Sequence, residues 1–188
     1  MIGCYDFCGH YEWTFDWIEK NFGREALRDY WRDAISGDSQ IHAAMAIQSK
    51  GVVGMEEYWG HTLAEEAAGF TSARTNDSFR INMHECPSKG FLINNGLENH
   101  SDYCDHCMGW IGPTMEKAGF VVDHEHNHRG TCWWVFRPKE SEAPSEESPE
   151  ITQDPKWASE NAVIDRYEGA VHPDHKTIDP PPPPRPLV

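Results

Sequence analysis

Apolar positions recur at helical spacing through the first part of the chain and at strand spacing later. Residues 11–20 are rich in aromatics and read as a helix. Over 23–35 the pairs Ala26/Leu27, Tyr30/Trp31 and Ala34/Ile35 fall about one turn apart, the stripe of an amphipathic helix. Asp38 and Ser39 can accept hydrogen bonds from the first N–H groups of a helix, which predicts one running through Met45 to Gln48. A further helix covers 55–68 and stops at Gly69. The period then changes. Phe79, Ile81 and Met83 alternate with Arg80, Asn82 and His84, as on a half-buried strand. A helix follows over 103–118, with a break or kink expected at Gly112-Pro113. Residues 120–128 and 131–137 flank Arg129-Gly130 and read as strand, turn, strand. N-terminal helices packed on a small antiparallel sheet make an α+β domain.

Beyond Pro138 the composition changes. Of the 13 prolines, 10 lie in 139–188, a segment with a net charge of −6. The chain therefore divides into a body, 1–138, and an acidic, Pro-rich extended tail, 139–188. The start of the tail is too polar to offset its ordering entropy and reads as a solvated linker. Its end, DPPPPPRPLV, reads as polyproline II, a spacer or a ligand for a proline-recognising partner. Between them Trp157, Ala162, Val163, Ile164 and Tyr167 form an apolar set able to dock on the body or on a neighbouring subunit of a homo-oligomer.

The chain of 188 residues carries a formal charge of −15. Phosphate backbones and anionic membrane surfaces repel such a protein, so neither nucleic acid nor membrane is expected as a partner. No basic region followed by an apolar run opens the sequence, so a secretory signal is not expected. A cytoplasmic location follows, with six reduced cysteines.

Four constellations carry candidate chemistry. In Tyr103-Cys104-Asp105-His106-Cys107, two thiols three positions apart can hold one tetrahedral ion from a single turn; a redox dithiol or two core cysteines are the alternatives. In the strand over 123–128, His124, His126 and His128 share a face and are candidate ligands, or a titrating surface row. Cys132 follows across the hairpin. His61 and Glu65 share a helix face as base and orienter, as two ligands, or as a solvated pair, while Glu66 shares the face of Trp59 and Leu63. Cys86, before Pro87, suits a ligand, a nucleophile or the core. Cys4, Cys8 and His10 are a secondary set.

Glu85-Cys86-Pro87, then Tyr103 to Cys107, then Gly130-Thr131-Cys132-Trp133-Trp134-Val135-Phe136 follow one another over residues 79–136. In this order they resemble the L-2-amino-thiazoline-4-carboxylic acid hydrolase family. The resemblance implies hydrolysis of a C–N or C–S bond in a small heterocyclic or sulfur- or nitrogen-containing substrate. Cys107, where that family more often has an acid, and the imidazole-rich strand depart from the pattern in the direction of a metal site. The residue inventory then assigns zinc, or alternatively iron, to Cys86, Cys104, Cys107, His126 and His128. Proton transfer falls to His61, Glu65 and Glu66, and the pocket wall to Trp59, Trp110, Cys132 and Trp134. Two other functions stand beside this one: a metal-free cysteine-nucleophile enzyme, and a non-catalytic small-molecule- or metal-sensing module similar to the vinyl-reductase-type domain.

Overall fold

The computed structural model describes residues 4–97, 100, 103–127, 129–141 and 163–167. The first helix, α1 (Cys4–Phe22), is longer than the aromatic stretch that predicts it. The stripe over 23–35 divides: α2 (Arg24–Asp29) runs into a wider, π-type helical stretch, Tyr30–Ser39, closed by Gln40 N–H donating to Ile35 O at 2.8 Å. Asp38 and Ser39 lie inside that stretch, so Gln40 and not they precede α3 (Ile41–Lys50). Trp31 of this stretch packs closely against Gly109, where an added Cβ would come within 2.6 Å of its ring.

Helix α4 (Val52–Glu65) follows Gly51, whose φ of 60° lets the chain reverse after α3. Gly69, expected only to end that helix, and residues 70–74, given no element by the sequence, form strand β1 (Gly69–Arg74). Strand β2 (Phe79–Glu85) runs into α5 (Pro87–Asn95), a helix that the periodicity does not indicate; Pro87 occupies the first turn, where its missing N–H costs nothing. In α6 (Asp105–Ala118) the helix continues through Pro113 without the expected break. Strands β3 (Phe120–His126) and β4 (Cys132–Pro138) form the expected hairpin, and β5 (Val163–Tyr167) lies beyond them.

The fold is α+β. The sheet order is β1-β2-β4-β3-β5, with every neighbouring pair antiparallel. Register aligns Ile81 with Trp134 and Trp134 with His124. Alternation then sends Phe79, Ile81, Trp134 and Phe136 into one core with Met55 and Trp59 of α4 and Met108 and Met115 of α6. A second cluster joins Phe15, Leu27, Trp31, Leu92 and Tyr103 beneath α1. On the opposite sheet face, Arg137 Nε donates to Asp123 at 2.6 Å and Trp133 Nε1 donates to Glu125 at 2.6 Å. No described helix is long and apolar enough to cross a membrane.

Candidate functional site

A cavity of about 360 Å³ lies where α1, α4, α5, α6 and the sheet meet. Helix α4 contributes Tyr58 and Trp59, and Glu66 follows at its C-terminal cap. Trp59 stacks on Phe136 of β4 with centroids 4.4 Å apart, which fixes the α4 wall against the sheet. Helix α6 contributes His106, Cys107 and Trp110, while β4 supplies Cys132 and Trp134. The Trp134 indole N–H donates to Cys132 Sγ at 3.2 Å, and its ring stacks on His124 at 3.7 Å. Cys86 and Ser88 enter from the start of α5, and Cys8 from α1. Cys86 Sγ accepts from Lys89 N–H at 3.4 Å, the position of a helix-capping side chain.

Charge in this space is governed by burial. It pushes the Cys86 thiol up from the usual cysteine value and those of Cys107 and Cys132 well up; mutual repulsion among the thiolates would add to the effect. The His106 imidazole lines the cavity yet is enclosed by protein, and burial lowers it to about 4 against the opposing bond to the Tyr103 carbonyl. A carbonyl only accepts, so Nδ1 of His106 carries the proton it donates to Tyr103 O. In the neutral ring Nε2 is then the acceptor, 3.7 Å from Cys107 Sγ. Both members of this pair stay uncharged at neutral pH.

The expected pocket residues Trp59, Trp110, Cys132 and Trp134 all line this one cavity, together with Cys86, Cys107 and Glu66. His61 and Glu65 do not reach it. They lie on the outward face of α4, each 70% exposed and 3.5 Å apart, so the catalytic pair expected there is placed as a solvated one. Cys104 precedes α6 and is half-buried outside the lining. It remains within electrostatic reach of Cys107 and Cys132. His126 points to a separate buried place, with Nε2 3.7 Å from Asp105 Oδ1. His128 lies outside the described residues, as does the side chain of Cys4. Among the described residues, no group of three or more His, Cys, Asp and Glu is arranged to hold an ion. His106 received no separate role from the sequence. Its spacing of four from Trp110, on the same helix face, was the available signal.

No family model, curated protein or solved structure matches the chain.

Proposed function

We propose that the body of this protein binds a small organic molecule in the aromatic cavity. The observation that carries the reading is a space of about 360 Å³ bounded by Trp59, Trp110 and Trp134 from three different elements. Its size and apolar lining are those of small-molecule sites. The test is a titration of the full chain with a panel of aminothiazoles, aminopyridines and indoles, followed by tryptophan fluorescence and thermal melting. Saturable quenching with a rise in Tm supports the reading, since a ligand of the folded state stabilises it by mass action. No saturation by any panel member up to millimolar concentration would defeat it.

A hydrolytic activity on a C–N or C–S bond belongs to the same proposal as a second reading. The observation favouring it is that His106 and Glu66 line the space where a substrate would sit, and either could carry a proton. Thiol attack draws less support, because burial holds Cys86, Cys107 and Cys132 in the protonated form. Zinc or iron would favour the sulfur donors on this wall. Among the described residues no three of these donors are grouped to hold an ion. The five described cysteines are free thiols, the state a cytoplasmic location would maintain.

A further inference from the structure

Helix α1 presents aromatic rings to solvent along most of its length. Phe7, Trp13, Trp17 and Phe22 are each between 51% and 64% exposed. At steps of three, three and four, Phe7, His10, Trp13 and Trp17 follow one another along one outward stripe. Phe7 meets the His10 ring edge-on at 6.1 Å, and Phe22 closes the far end, edge-on to Trp17 at 5.3 Å. The Trp13 ring lies over Gly9, where an added Cβ would stand 3.4 Å from it. These contacts hold the rings in place while at least half of each residue stays in water. Scattered single apolar residues are ordinary on a surface, but a contiguous aromatic row marks an interaction face.

We propose that this face seats the C-terminal segment of the same chain, residues 179–188, DPPPPPRPLV, which lies outside the described residues. Proline-rich segments dock on aromatic surfaces because their extended form costs little entropy to order. The lengths agree. The seven residues Pro180 to Pro186 extend over about 22 Å at ~3.1 Å each. Phe7 to Phe22 covers about 22 Å of helix at ~1.5 Å per residue. The charges agree as well. Arg185 is the one basic residue of the segment, and α1 holds four acidic residues against one lysine. Asp16, between Trp13 and Trp17 in sequence, pairs at 2.7 Å with the exposed Lys20. So exposed a pair contributes little, and the carboxylate can accept from Arg185 also. The connection is long enough. Strand β5 begins at Val163, whose register partner His126 lies 3.7 Å from Asp105. Asp105 lies 4.0 Å from Arg24, two positions after Phe22, so the start of β5 is tied through side-chain contacts to the end of α1. From Tyr167 the thirteen steps to Pro180 then span up to about 43 Å.

The experiment labels the full chain with 5-fluorotryptophan and follows its eight tryptophan signals by fluorine NMR. Trp13→Phe and Trp17→Phe assign two of them, and either assigned signal suffices where the other variant does not fold. In a second full-length protein, Pro180 to Pro184 are all changed to serine. The Trp13 and Trp17 signals are expected to move in it, while the remaining six stay and show that the core has folded. Free peptide 179–188 is expected to return both signals saturably to their wild-type positions. The Arg185→Glu peptide is expected to need a concentration roughly fivefold higher. Identical Trp13 and Trp17 signals in the two proteins would overturn the proposal, as would a peptide without effect on the serine variant. Equal potency of the Arg185→Glu peptide would overturn the pairing with Asp16. Wild-type signals that depend on protein concentration, with a dimer in sedimentation, would give the face to a second copy and overturn the proposal too.

Discussion

Arg137 and Asp123 form an ion pair with side-chain exposures of only 6% and 1%. Removing one partner of such a pair leaves a charge in a poorly solvated place. Arg137→Met is expected to cost about 3–5 kcal/mol in urea denaturation, and the added change Asp123→Leu to recover much of it. Loss of less than about 1 kcal/mol in the single variant would contradict the burial of the pair. His106 gives a second expectation at this scale. Its folded value is about 4 against an ordinary 6.5. Between those limits the unfolded chain takes up a proton that the folded chain refuses. Stability therefore falls as pH drops from about 6.5 to about 4, by up to ~1.4 kcal/mol per pH unit. His100 shifts in the same direction, also through burial. His106→Gln is expected to flatten the profile in that window; an unchanged slope would show that the ring is not held neutral. Residue types marked the cavity well, since the tryptophans Trp59, Trp110 and Trp134 and the thiols Cys86, Cys107 and Cys132 became its walls. The i,i+4 spacing of His61 and Glu65 was a different matter. It shows that two side chains share a face, and the inward face of α4 is marked instead by Trp59, Leu63 and Glu66.

Helices α3 and α4 meet at Gly54, where an added Cβ would stand 2.9 Å from Ala46 O and 3.0 Å from Lys50 Cβ. The first of these atoms belongs to the backbone and cannot rotate away. Gly54→Ala is expected to destabilise by about 1–3 kcal/mol through forced separation of the helices, despite the better helix propensity of alanine. A neutral or stabilising result by thermal melting would show that the crossing is loose. Helix and strand periods in the sequence located α4, α6, β2 and the β3–β4 hairpin. They missed β1, whose residues are mostly exposed and so lack the alternation that a buried face imposes. They missed α5, whose first turn holds Pro87, a place where a proline is harmless. The division of 23–35 was also hidden: the apolar stripe continues through it, and the partner of Trp31 there, Gly109, lies 78 positions away in the chain.

At the scale of the molecule, β5 pairs with β3 through five aligned positions, from Val122 with Tyr167 to His126 with Val163. It extends the sheet beyond the hairpin at a site the sequence suggested only through a small apolar set in an acidic tail. A chain ended at Pro138 would leave β3 as an exposed sheet edge, a template for pairing with other chains. Sedimentation is expected to show concentration-dependent larger species for that truncation and a smaller average size for the full chain. Identical sedimentation of the two would remove any protective role for β5. The same backbone bonds also provide a clock. Amide hydrogens of β3 that bond to β5 can exchange with solvent when this one strand lifts, without unfolding of the α4–α6 core, so their exchange rates measure how often the tail lets go.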